Sequence, residues 1–305
     1  MGKICSICSK KVQASVDQVN EIFEEKEITI PHYESNGDKY FQDQEKKYNY
    51  LSKIIFKDYL FSIINFSKDT AKEKDEYSNV TLEQSAEYAT YSEQISPDMF
   101  QSFIENKILG HKSVHEEARD NERATSIFKK IASENYTGLA QKLAQNIKEK
   151  GLETKDKDEI ITKGHLIALG ILLCSGPNYI KIRLIFNLFK VDENLKKNEK
   201  LNDFLLSLFL IAGYGAIHVR NQLSEFEEIG SVEKSELIKL AETSELKNIQ
   251  HLVEVTNKLI FGDDLSQSLN YEAFKAKFEG DNKDTSLGFI LSPSGVRYME
   301  TLHNI

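Results

Sequence analysis

The chain has 305 residues, 29% of them charged, with a net charge of -9. That length suffices for a large core in two lobes, and the acidic balance argues against a nucleic-acid partner. With only four prolines and 15 glycines, and long stretches rich in Lys, Glu, Leu and Ile, the composition favours an all-α protein over a β one.

The first ten residues read Met-Gly-Lys-Ile-Cys-Ser-Ile-Cys-Ser-Lys. Gly2 with Ser6 fits the pattern for N-myristoylation, and Cys5 and Cys8 stand where S-palmitoylation would follow. Lys3, Lys10 and Lys11 precede the first acidic residue, Asp17. A single myristoyl chain binds membranes only marginally, so stable anchoring needs a second chain or a basic patch. Residues 1–10 are therefore expected to be a lipid anchor on the cytoplasmic face of a membrane. The other readings of this stretch are an inert tail and a zinc site at Cys5 and Cys8. Zinc would want four ligands, and Cys174 is the one cysteine left. The N-terminus lacks the apolar core of a secretory signal, and the cysteine usage fits the expectation of a cytosolic compartment.

An N-terminal helical lobe is expected over 11–135. Val12, Val16, Val19, Ile22 and Phe23 predict a helix near Lys11–Glu25. Residues 26–43 read as irregular; Ile28-Thr29-Ile30 has strand-like composition that Pro31 cuts short. Leu51, Ile54, Ile55, Tyr59, Ile63 and Ile64 predict one helix over Tyr48–Phe66. Ser96-Pro97 signals a helix start, with Phe100, Phe103, Ile104 and Ile108 as its apolar face and Gly110 as its end. A further helix is expected over Asp120–Glu134. His111 and His115 are spaced to share one helical face, but Lys112 breaks the H-E-x-x-H order, so a solvated face is the expectation.

The second lobe is expected over 136–279, with a tail at 280–305. Helices are predicted at Thr137–Lys150, Glu233–Leu246, Lys247–Phe261 and Asn270–Phe278. At the centre, the apolar run His165–Cys174 closes on Ser175-Gly176-Pro177-Asn178. Ile182, Ile185, Phe186 and Phe189 then fall on one helical face, and after a polar loop Leu201, Phe204, Leu205 and Leu208 repeat the spacing. These two faces are expected to pack on each other. Gly213-Tyr214-Gly215 follows an apolar helical run rather than a strand, so it is not read as a nucleotide loop. Cys174 is expected to be an inert core thiol. In the tail, Leu287–Leu291 should dock on the core.

Residues 168–209, ALGILLCSGPNYIKIRLIFNLFKVDENLKKNEKLNDFLLSLF, together with Gly2 and Ser6, resemble N-myristoylated EF-hand proteins of the neuronal calcium sensor type. They also resemble the EF-hand-like modules that precede TLDc domains. The resemblance covers about Thr154–Leu208. It implies a two-lobed array of EF-hand-like helix–loop–helix units. A calcium loop needs oxygen ligands at positions 1, 3, 5, 7 and 9, glycine at 6 and a bidentate glutamate at 12. Lys190–Leu201 puts Lys190 first, Leu195 sixth and Leu201 twelfth, which opposes a cation. Thr154–His165 keeps Asp156 and Asp158 but has His165 at the twelfth position. Looser matches are Tyr88–Met99, with Ile95 eighth, and Gly262–Ala273, with Leu269 eighth. Loop 154–165 is expected to sit face to face with loop 190–201.

The functional expectation is a non-enzymatic, membrane-tethered adaptor that binds a protein partner such as an amphipathic helix, without cofactor or metal. The alternatives are a calcium sensor using Asp156 and Asp158, and a structural subunit of a large assembly.

Overall fold

The computed structural model describes residues 27–33, 49–66, 94–130, 132–133, 161–223, 249–263 and 267–303, with backbone alone for 64–66 and 214–223. The expected helices at Lys11–Glu25, Thr137–Lys150 and Glu233–Leu246 lie outside these residues. Among them the chain is mostly helical, as the composition suggests, with strands of two residues each.

A 3-10 turn at Tyr50–Lys53 precedes helix α1, Phe56–Phe66. The single helix expected over Tyr48–Phe66 is thus broken. Ile54 is extended, and its carbonyl accepts from the amide and hydroxyl of Ser175, each at 3.1 Å. Ile55 is consequently exposed rather than on the core face, while Phe56 is buried. A backbone bridge to Ser175, completed by the Phe56 amide donating to the Ser175 carbonyl at 2.8 Å, has replaced one helical turn.

Strand β1, Gln94–Ile95, leads into helix α2, Pro97–Phe103, which winds on as a wider π-turn over Ile104–Leu109 and stops at Gly110. Ser96 caps it as its sequence suggests: its hydroxyl accepts from the Met99 amide at 3.2 Å. Short helix α3, His115–Asp120, and helix α4, residues 122–130, follow. Strand β2, Ile161–Thr162, opens helix α5, Lys163–Leu173, and helix α6 spans Asn178–Phe189. Strands β3, Lys190–Val191, and β4, Asn194–Leu195, form a hairpin, then helix α7 runs through Glu199–Leu223. Gly213-Tyr214-Gly215 lies within α7. Helix α8, Ile249–Phe261, and short helix α9, Tyr271–Lys275, fall within the spans expected for them. The tail holds more order than expected. Leu287–Leu291 is a 3-10 turn with all five residues buried, and Pro293–His303 is helix α10.

Helix α7 occupies the centre. It packs against α5 on one side and against α8 and α10 on others. Helix α5 is wedged between α7 and α1, which explains its apolar character all round. Its Gly170 faces the Tyr59 ring so closely that a Cβ would stand 2.3 Å from a ring carbon. The Tyr59 hydroxyl continues that contact as a 2.8 Å bond to the Leu166 carbonyl. Phe189 and Phe204 meet at 5.0 Å between ring centroids, as the paired stripes predict. Phe186 instead faces α9, with Tyr271 at 5.4 Å and Phe274 at 5.9 Å. Among the described residues no helix is long and apolar enough to cross a membrane.

Candidate functional site: the paired loops

Four loops meet in two pairs. Strands β1 and β2 pair antiparallel, with Ile95 opposite Ile161. The other pair is an isolated antiparallel bridge between Leu195 and Leu269. Their amides and carbonyls exchange bonds of 2.7 and 3.0 Å. The expected opposition of loop 154–165 to loop 190–201 is therefore corrected: Ile161 faces Ile95. Close in sequence did not mean paired in space.

In three of the loops the bridging residue is followed at once by a helix cap. Ser96 caps α2. Asn270 caps α9, its Oδ1 accepting from the Ala273 amide at 2.9 Å. Thr162 precedes α5, and its amide donates to His165 Nδ1 at 2.8 Å, with its hydroxyl 3.0 Å from the same nitrogen. The fourth loop departs from this. Asn198 caps α7, accepting from Leu201 at 2.9 Å, but Lys196 and Lys197 separate it from the bridging Leu195. A β-hairpin takes up the difference. Its turn residues, Asp192 and Glu193, both have positive φ, 51° and 62°, the twist that tight hairpins favour.

The third residue of each capped helix is Met99, His165, Leu201 and Ala273 in turn. None offers a carboxylate at the place where a calcium loop has its bidentate ligand. In the hairpin loop the carboxylates face the chain's own ammonium groups. Lys190 Nζ lies 3.3 and 3.2 Å from the two oxygens of Glu193, and Lys196 Nζ lies 4.0 Å from Asp192. These contacts are exposed and weak individually. Among the described residues no cluster of three or more His, Cys, Asp or Glu side chains could hold a metal. Asp156 and Asp158 lie outside the described residues, as do Gly2, Cys5 and Cys8.

His165 is a titratable group built into the helix cap that follows a bridging residue. Burial pushes its pKa down to about 4. The neutral ring is what the cap requires, since Nδ1 must accept. Cys174 is buried, and burial pushes its thiol well above the ordinary range, against the opposing pull of Lys181. The inert-thiol expectation fits that environment.

Lys181 was not singled out by its sequence. It is buried on α6 and donates to the Ile171 and Cys174 carbonyls, at 2.7 and 2.8 Å, closing the C-terminus of α5. Burial lowers its pKa to about 8, opposed by Cys174 and Glu27.

His111 and His115 do not share a helical face: His111 lies in the turn before α3, and His115 is that helix's first residue. His111 Nδ1 meets Ser113 Oγ at 2.7 Å and the Ser113 amide at 3.3 Å, while Nε2 is 3.9 Å from Asp58. Both Ser113 contacts close a local turn on one nitrogen, so the hydroxyl is a turn partner rather than a poised nucleophile.

No protein-family model matches the chain, and neither a curated protein nor a solved structure matches it.

Proposed function

We propose that the chain is a non-enzymatic adaptor built from two pairs of EF-hand-like helix–loop–helix units that have lost their ion. The observation that carries this is the pair of loop-to-loop bridges, Ile95 to Ile161 and Leu195 to Leu269. A paired-hand architecture joins its loops through one apolar residue, next to the cap of the outgoing helix. Three of the four loops here keep both features side by side. The helices agree: α6 packs on α9 and α7 on α8, each incoming helix against the other unit's outgoing one. Met99, His165, Leu201 and Ala273 favour a structural use of the loops over a sensing one. In this reading a protein partner, such as an amphipathic helix, docks on the helical faces.

Calcium titration tests the loops. Millimolar calcium should give no binding heat and no appreciable change in melting temperature, because stabilisation follows ln(1 + [L]/Kd). A rise of several degrees that disappears in the Asp156→Ala, Asp158→Ala double variant would establish a calcium sensor instead.

The adaptor is tethered, in this proposal, by acylation at Gly2 with Cys5 and Cys8. Gly2 supplies the amine that myristate needs, so Gly2→Ala should move most of the protein from the membrane to the soluble fraction. Replacing both cysteines should leave a weaker, salt-sensitive association through myristate and Lys3, Lys10 and Lys11. Pelleting of Gly2→Ala at the wild-type level would rule out this anchor.

A further inference from the structure

Residues 27–33 lie across the fold without joining any helix or sheet. Their side chains alternate outward and inward except at the adjacent pair Ile30-Pro31: Glu27, Thr29 and His32 are exposed, whereas Ile28, Pro31 and Tyr33 are buried and Ile30 is half-buried. Ile28 and Tyr33 are each only 2% exposed. From Glu27 to Ile30 the backbone makes no backbone–backbone hydrogen bond to another described residue. The segment is held chiefly by side chains.

The surface receiving it has two ends. At one end Glu27 Oε1 accepts from the Asn178 amide at 2.9 Å, at the N-terminus of the 12-residue helix α6. The adjoining Lys181 ammonium adds positive charge to the helix dipole there. Asn178 Nδ2 also donates to the Ile28 carbonyl at 3.1 Å. At the other end the Tyr33 ring lies 5.6 Å from Tyr298, and its hydroxyl donates to the Ser286 carbonyl at 3.4 Å. Between them Ile30 crosses Gly288, where an added Cβ would come within 2.9 Å of the isoleucine Cβ. A segment outside any helix or sheet, apolar side chains buried along it and an acid on a positive helix end are together the manner in which a peptide is held by a recognition groove.

We propose that the surface between the N-terminus of α6 and residues 284–298 is a docking groove for an extended peptide of a partner protein. Its occupant carries an acidic residue, aliphatic side chains one and three places later, and a tyrosine six places later. The chain's own residues 27–33 occupy the groove in cis and must be displaced. A tethered occupant competes at an effective concentration on the order of millimolar, so the groove answers to a partner only when that partner binds well or the strap is drawn away. This inference stands apart from the helical partner proposed above, from any ion in the loops and from acylation of Gly2.

The test uses the full chain and a labelled synthetic peptide of residues 26–34. The Ile28→Ser, Tyr33→Ser double variant loosens the strap and leaves the groove itself unaltered. Fluorescence anisotropy should show the peptide binding this variant at least about tenfold more tightly than wild type. A peptide carrying Glu27→Gln should bind several-fold less well. Equal binding to both chains, or none to either, overturns the proposal. A wild-type dimer that the double variant abolishes would assign the groove to strap exchange between two copies, and overturns it as well. Amide exchange in the wild-type chain decides the matter even if the variant fails to fold. The Asn178 amide should exchange at least about tenfold faster than that of Phe204, through release of the strap alone. Equal rates would mean that the strap leaves only when the whole fold opens, which sinks the idea.

Discussion

Phe186→Ala should destabilise the chain by about 3–5 kcal/mol, a large part of the roughly 5–15 kcal/mol that holds a typical domain. Phe186 is 4% exposed on α6, and its ring meets Tyr271 edge-on and Phe274 at a tilt. Phe274 in turn meets Phe278 at 5.2 Å. Behind Tyr271 stands the Arg183 guanidinium, 3.9 Å from the ring centroid. Truncation therefore removes the ring that meets both Tyr271 and Phe274 of α9 and leaves a cavity between α6 and α9. Lys197→Ala is the contrasting change. Lys197 is exposed in the stretch between the bridge and the cap, and its loss should cost no more than about 0.5 kcal/mol. Urea denaturation of both variants, with and without calcium, measures the difference. A neutral Phe186→Ala beside a damaging Lys197→Ala would mean that the loop carries the stability and the helices do not.

Much of the central architecture is legible in single residues. Ser96-Pro97 names a helix start because the serine satisfies a free amide and the proline has none to satisfy. The stripes of α6 and α7 follow from spacing, and the break at Ser175-Gly176-Pro177 needs a positive φ that Gly176 supplies, at 122°. What was not legible depends on partners far along the chain. Tyr48–Phe66 has a continuous apolar stripe, yet Ser175 takes the Ile54 carbonyl and breaks the helix. Nothing near Ile54 announces that competitor.

The loops show the same limit more sharply. Lys190–Leu201 puts Leu195 sixth, whereas Ile95 and Leu269 stand eighth in their loops, yet Leu195 forms the bridge because a hairpin turn at Asp192-Glu193 brings it there. Neither turn residue is the glycine that would have signalled it. The tail reads as mixed since α10 opens on Pro293-Ser294-Gly295 and has few apolar residues. Gly295 is needed there because any Cβ would stand 2.5 Å from the Phe289 carbonyl oxygen. Lys181 looks like a solvated helical lysine until the end of α5 presents it with two carbonyls.

The pH dependence of stability should trace His165. Its Nδ1 accepts from Thr162 in the folded chain, and burial holds its pKa near 4, well below the ordinary 6.5. Between those values the unfolded chain binds a proton that the folded chain does not, so stability falls as pH falls. The contribution is intact above about pH 6.5 and is lost progressively toward pH 4. Between pH 7 and 4.5 the linkage amounts to about 2 kcal/mol. Protonation of Nδ1 would also replace the acceptor of the cap with a donor, so the same event loosens the start of α5 and the Ile95–Ile161 ladder beside it. His165→Gln separates this from the general effect of acid on carboxylates. Glutamine at the third helical position can still accept from the Thr162 amide, as in an ordinary capping box, but cannot titrate. Chemical denaturation at pH 7 and pH 4.5 should therefore show wild type losing about 2 kcal/mol more than His165→Gln. Equal losses in the two chains would mean that His165 is as free to protonate as in the unfolded state, and that the Thr162 cap does not depend on its neutral ring.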